Sequence, residues 1–230
     1  AQSRTFEEAF RRFNIPYKVY GGLSFYQRKE IKDLMAYLRL CMNPHDEEAL
    51  MRIINYPARG IGKTSQERIR AFADSNENSI WKTIENIEKH PINITQSAVN
   101  KIKKFVDMIH EFQDMAANMD AYEIAMTIAS RTGILEEFEN PGTIEEQNKY
   151  QNLQEMLNGI KEFTERYEGE GTPTLPEYIE NISLMTDADL EDEEDLNKVS
   201  IMTMHSAKGL EFKEVYLAGI DEGLFPSQMA

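Results

Sequence analysis

"ARGIGKTS", residues 58–65, decides the fold, because two incompatible structures share its letters. Gly62-Lys63-Thr64 is how a phosphate-binding P-loop ends, and a P-loop would put a buried strand before it and make the chain α/β at this point. The full pattern, G-x-x-x-x-G-K-[ST], needs its first glycine at residue 57, and Pro57 stands there. The preceding "EEALMRIIN" has its apolar residues at helical rather than strand spacing. Both requirements fail, so the stretch is read as helix, "RGIG", helix.

Two glycines around one apolar residue permit a tight turn with positive φ values and leave the backbone uncovered. Ile61 is expected to point inward and clamp the two helices. The N–H groups of Gly62–Thr64 then face outward at a helix N-terminus, an arrangement that suits a phosphate. Arg59 and Lys63 add positive charge on either side. This is the helix-hairpin-helix pattern, which grips a DNA backbone without reading bases, and its candidate contacts are Arg59, Gly60, Ile61, Gly62, Lys63 and Thr64. On the hairpin alone, a plain helix connection using its glycines only for geometry stands equally.

Working outward, charge is unevenly placed. The 230 residues carry a net charge of −15, which taken whole argues against nucleic acid. Residues 1–70, however, hold thirteen Lys/Arg against eight Asp/Glu (+5), and residues 71–230 hold twelve against thirty-two (−20). The basic part holds the hairpin. No apolar run approaches the ~18 residues of a membrane span, and "AQSRTFEEAF" has neither the basic start nor the apolar stretch of a secretory signal. Without a starting Met the chain reads as an excised fragment. Its single cysteine, Cys41, excludes an internal disulfide, suits a reducing cytoplasm, and is expected in the core with Leu34 and Leu38.

The N-terminal 42 residues read as helix, strand, helix. "TFEEAFRRFN" is a short helix with Thr5 and Glu8 as a capping box; "IPYKVYGG" is a strand; a second helix runs from about Tyr26 to Met42. From residue 43 to 186 the pattern is all-helical, with long amphipathic runs at 95–116 and 144–167. The acidic run "DADLEDEEDLN", 187–197, fails as a calcium loop, since Asp192 and Lys198 occupy the positions that need Gly and Glu; it reads as a linker. Residues 198–230 return to α/β character, with "VSIMTM" and "EVYLAGI" as strands. The expected class is mostly α: an all-helical domain inserted into an incomplete α/β domain.

"TMHSAKGLEF", 203–212, is the most specific stretch, because His, Lys and Glu on a loop after a strand lie where α/β folds place ligands. Together with "YGGLSFYQRKEIKDLMAYLRL" (20–40) and "NYPARGIG" (55–62), it resembles the UvrD/PcrA/Rep type of superfamily-one DNA helicase, over essentially all 230 residues.

The resemblance implies part of the second RecA-like domain together with its helical insertion, called 2B in that family. "RGIG" then matches the duplex-binding hairpin of the insertion. "GGLSFYQRKEIKD" implies DNA contact or motif support by Phe25 and Arg28. "TMHSAKGLEF" matches the fifth helicase motif: Glu211 meets the nucleotide ribose, Thr203, His205 and Ser206 lie along the single strand, and Lys208 and Gly209 shape the loop. Gly209 and Glu211 are thus the nucleotide-binding candidates. The parent is expected to be a bacterial, cytoplasmic, nucleoid-associated 3′→5′ translocase using ATP and Mg2+. Its partners would be single-stranded DNA, the duplex junction, an N-terminal RecA-like domain, and repair or transcription proteins, with no membrane. No Walker A or Walker B sequence is present, so these residues alone are expected to hold half an ATP site, no metal site, and no ATPase activity.

Other residues are read as structural. Trp81 lies on an amphipathic face and is expected in the core, as is one reading of Phe25 and Tyr26. His45, His90 and His110 have no partners at metal spacing. A second function class stays open: an acidic helical docking module for other proteins, with a merely structural hairpin.

Overall fold

The computed structural model describes residues 3–13, 15–20, 25–167, 171–187 and 197–220, the side chains of Ser3, Arg4, Glu8, Arg11, 183–187 and His205 excepted. The chain is mostly α and divides into two compact units, residues 1–27 with 189–230, and residues 28–188.

The smaller unit contains α1 (Ser3–Arg12), β1 (Tyr17–Tyr20), a 3-10 turn (Phe25–Gln27), β2 (Val199–Met202) and the one-turn α11 (Met204–Ala207). Helices α2 to α10 belong to the other unit. β1 and β2 pair in parallel, Val19 opposite Ile201. Parallel neighbours cannot be joined by a tight turn. Here the connection is the whole helical block, so the chain makes an excursion from one sheet and returns to it. The carboxylate of Glu7, itself buried, accepts the N–H of Phe25 and ties α1 to the turn.

Two details of this unit differ from the sequence reading. α1 begins at Ser3, which puts Thr5 inside the helix rather than at its cap. "EVYLAGI" forms no strand: Val215, Tyr216 and Leu217 are exposed, and no third strand among the described residues offers a ladder. A short apolar run alone does not make a strand without a partner's hydrogen bonds. Of the acidic run, residues 188–196 lie outside the described residues.

The helical unit contains α2 (Lys29–Met42), α3 (Glu47–Ile53), α4 (Lys63–Ser75), α5 (Ile80–Glu85), α6 (Gln96–Ala116), α7 (Ala121–Arg131), α8 (Glu136–Glu139), α9 (Ile144–Glu165) and α10 (Leu175–Asp187). Side-chain caps set several of the starts: Asp46, Ser79, Thr95, Asp120 and Thr143 each accept a backbone N–H of the first turn. α2 is the axis of this unit. It packs on α3, α6, α7, α9 and α10, burying Ile31, Leu34, Tyr37, Leu38, Leu40 and Cys41. α2 thus packs with the helices that cover it, and by contacts the chain divides after Gln27.

Two acids are buried on α2, and both are satisfied. Asp33 receives Lys29 Nζ at 2.7 Å and Arg52 Nε at 2.6 Å, while Glu30 accepts from Asn152 of α9. Trp81 and Cys41 are buried, as their helical spacing predicts. His45, His90 and His110 meet Ser79, the Phe72 ring and Glu85.

Candidate nucleic-acid interface

The hairpin is built by α3, the loop 54–62, and α4. The element that leads into this loop is the helix α3 and not a strand, which removes the P-loop reading on structural grounds as well. Ile61 is fully buried, so its side chain turns inward as the turn geometry requires.

The loop carries backbone groups that need partners, and side chains supply many of them. Asn55 Oδ1 accepts the N–H of Arg59 at 3.1 Å and of Ile61 at 2.8 Å. Gln66 Nε2, from α4, donates to Ile61 O at 2.8 Å. Lys101 Nζ, from α6, donates to Gly60 O at 3.4 Å. Arg59 Nη1 donates to the carbonyls of Ile53 (3.0 Å), Tyr56 (2.8 Å) and Pro57 (3.3 Å), and its Nη2 to the Tyr37 hydroxyl. The guanidinium also lies 5.6 Å from the Tyr37 ring centroid and 5.3 Å from that of Phe105.

Gly62, Lys63 and Thr64 contrast with all of these. They are exposed, and their N–H groups donate to nothing among the described residues. Gly62 is the N-cap of α4 and brings no side chain to them. Bare, aligned donors at a helix start attract an anion, and the exposed Lys63 adds a full charge beside them.

Two sequence expectations change at the hairpin. Arg59 was expected beside the phosphate; its guanidinium instead points inward, because the loop turns several carbonyls toward it. Of the two glycines, Gly60 alone takes a positive φ, +75°. Gly62 has φ −66° and ψ 159°, and a Cβ there would meet nothing within 4 Å. An N-cap needs extended backbone, which any residue can adopt.

The electrostatics behind the hairpin hold its hydroxyls neutral. Burial pushes the Tyr37 pKa up to about 12, with Arg59 opposing the rise. Tyr56 is raised further, first by burial and then by its hydrogen bond to Glu137. Tyr37 therefore remains a donor, to the Tyr56 carbonyl, at any physiological pH.

The remaining candidates belong to other elements. Phe25 is fully buried, edge-on to Tyr26 at 5.2 Å. Arg28 is half-buried and donates to Asn152 Oδ1 at 2.6 Å. After β2, Thr203 Oγ1 accepts the N–H of Ser206 at 3.1 Å, and the two hydroxyls lie 2.9 Å apart. That pair caps α11 and turns the loop. Gly209 takes φ +84°, and Glu211 is exposed. The His205 side chain lies outside the described residues. No three His, Cys, Asp or Glu side chains among the described residues come together to hold a metal ion. No helix among them is long and apolar enough to cross a membrane.

Sequence reasoning missed Tyr37, Asn55, Gln66 and Lys101. Asn55 and Gln66 lie within the motif's neighbourhood, and an amide side chain just before a glycine turn is a signal that could have been used. Tyr37 and Lys101 carry no such signal, since tertiary packing brings them in.

The sequence profile of the UvrD-like helicase C-terminal domain matches residues 1–230. The chain is 37% identical over 233 residues to the ATP-dependent DNA helicase PcrA of Leuconostoc citreum, covering 100% of this chain and 31% of that protein. It is 36% identical over 231 residues to the PcrA of Bacillus subtilis, covering 98% and 31%. It is 36% identical over 226 residues to the PcrA of Staphylococcus aureus, covering 98% and 30%. The chain thus spans a little under a third of the length of these curated relatives. With the profile matching from end to end, it belongs to the UvrD-like helicase C-terminal domain family.

Proposed function

We propose that this chain is the part of an ATP-dependent 3′→5′ DNA helicase that grips duplex DNA and supplies one side of the nucleotide and single-strand sites. The observation that carries the reading is the hairpin. Side chains occupy the inner groups of its loop, while the donors of Gly62, Lys63 and Thr64 stay bare beside an exposed lysine. Phosphates of a duplex fit that surface without base readout. Lys101, whose ammonium reaches Gly60 O, adds a second cation at the same edge.

The end of β2 is the second part of the proposal. Gly209 and Glu211 are assigned to the nucleotide, Glu211 through the ribose, and Thr203, His205 and Ser206 to the single strand. Phe25 and Arg28 are assigned to supporting these motifs. In this reading the chain supplies only part of an ATP site, and no ATP hydrolysis is expected from these residues on their own. The RecA-like assignment of 1–42 and 198–230, the 2B-like assignment of 43–186, the linker role of 187–197, and action at bacterial chromosomal DNA are parts of the same proposal.

A salt titration of fluorescent duplex with wild type and Lys63→Glu tests it. Two or three neutralised phosphates give a log–log slope near −2 to −3, at about −0.9 per contact. Lys63→Glu is expected to remove most of the binding. Equal binding by the two proteins at every salt concentration would leave the acidic docking-module reading in its place.

A further inference from the structure

Arg59 is the residue whose role the geometry rewrites. An exposed phosphate-binding arginine keeps its fork free for the ligand. The fork of Arg59 is instead spent on three carbonyls, of Ile53, Tyr56 and Pro57, and on the Tyr37 hydroxyl. Those acceptors come from the end of α3, the loop after it, and α2. The Phe105 ring of α6 lies 5.3 Å from the guanidinium carbon. The main-chain N–H of the same residue is held by Asn55, which also holds Ile61. One side chain therefore links α2, α3 and α6 to the loop that precedes the bare donors of α4.

We propose that Arg59 is a positioning residue for duplex binding: it braces the hairpin from inside, meets no phosphate, and leaves the outward charge to Lys63 and Lys101. The proposal rests on the reading of the hairpin as a duplex contact. It separates two roles that the letters R-G-I-G-K merge, one cation folded in and one turned out.

The two roles respond oppositely to a conservative change. A phosphate contact made by charge survives Arg→Lys, because an ammonium neutralises a phosphate as well. A brace does not, because an ammonium has no planar fork to serve four separated acceptors. The salt slope separates them again, since only a residue that neutralises a phosphate alters the number of counterions released.

The test uses the full-length chain and a fluorescent duplex with a single-stranded tail, titrated with salt, each variant checked as folded by circular dichroism. Arg59→Lys is expected to weaken binding by about tenfold, as expected when one or two hydrogen bonds that position the loop are lost, with the slope unchanged. Tyr37→Phe keeps the ring and removes one acceptor, and is expected to shift affinity in the same direction by less, again with the slope unchanged. Lys101→Ala is expected to lower the slope by about 0.9. Hydrogen exchange at the Ile61 amide is expected to speed up in Arg59→Lys and not in Lys101→Ala. Wild-type affinity in Arg59→Lys, or a slope reduced by about 0.9 in that variant, would overturn the proposal while Lys63→Glu still loses binding. If Lys63→Glu binds as wild type, the duplex reading fails and the proposal with it.

Discussion

Asn55 stands in for a backbone acceptor: its Oδ1 takes the N–H of Ile61 at 2.8 Å, across the turn that Ile61 closes from inside. The same oxygen takes the N–H of Arg59, so one amide side chain terminates two loop donors that no carbonyl reaches. Ile61 can be fully buried because its main-chain donor is paired.

Asn55→Ala removes that acceptor and leaves a buried N–H behind. A loss of about 2 kcal/mol is expected in urea unfolding. Asn55→Asp keeps an acceptor oxygen and is expected to lose less. Equal losses in the two variants would show that the amide contributes packing rather than hydrogen bonds.

The two hairpin glycines are expected to behave differently. At Gly60, φ is +75° and a Cβ would sit 2.5 Å from Lys101 Nζ. The lysine can swing away, but the backbone cannot, so Gly60→Ala is expected to cost about 1–2 kcal/mol. Gly62→Ser adds a capping oxygen in open space and is expected to be neutral or slightly stabilising, by about 0.5 kcal/mol. Its hydroxyl would compete for the donors offered to a phosphate, so duplex affinity is expected to fall without loss of fold. Thermal melts and a binding titration on the same preparations check both statements.

Asp33, buried on α2, is held unequally by its two cations. Arg52 is about one-third exposed and Lys29 two-thirds exposed, at 31% and 66%. Arg52→Ala is expected to destabilise by about 2 kcal/mol, since it strips the better-shielded partner from a buried carboxylate. Lys29→Ala is expected to cost less than about 1 kcal/mol, most of it from the ammonium over the Tyr56 ring. Chemical denaturation of the two variants gives the order directly, and the reverse order would refute it.

Alkaline pH is expected to loosen the helical unit from behind the hairpin. Tyr37 is raised to about 12 in the folded state, and an unfolded tyrosine titrates near ~10. The unfolded chain thus loses its proton first. The contribution of Tyr37 is full below pH ~10 and is lost as pH rises toward about 12, with a slope of at most about 1.4 kcal/mol per pH unit. Tyr56 is raised as well and adds to the same limb. Stability of wild type and Tyr37→Phe across this window is the measurement. The Phe variant is expected to show the shallower decline; parallel curves would mean that Tyr37 does not titrate on unfolding.

Glu211→Ala in the full-length protein is expected to weaken ATP use, because a carboxylate hydrogen bond to a ribose hydroxyl contributes ~1.5–3 kcal/mol. Steady-state ATPase kinetics at several ATP concentrations check it. A KM for ATP equal to that of wild type would remove the ribose assignment.

The local chemistry of this protein was readable in order along the chain. The apolar spacing of Ile102, Phe105, Val106, Ile109 and Phe112 marks α6, and that of Leu153, Met156, Leu157 and Ile160 marks α9, since a helical face is a property of neighbouring residues. Pro57 and the helical "EEALMRIIN" excluded a P-loop for the same reason, and Ile61 had only one side to turn to. The family resemblance rested on short stretches of this kind.

What lay beyond the letters is whatever depends on partners distant in the chain. "EVYLAGI" reads like a strand, but a strand exists only with a neighbour's ladder, and β1 found its neighbour in β2 instead. α2 reads as the end of an α/β segment, yet α3, α6 and α9 bury it. Arg59 carries the charge of a phosphate ligand, and its direction was decided by carbonyls whose orientation no residue type encodes. Lys101 is one lysine among several on α6, and only the packing of α6 against the loop sets it at Gly60. The sequence by itself determined that a glycine hairpin joins two helices beside a basic stretch. The tertiary structure decided which cation faces inward, because a guanidinium goes where the most unpaired acceptors converge.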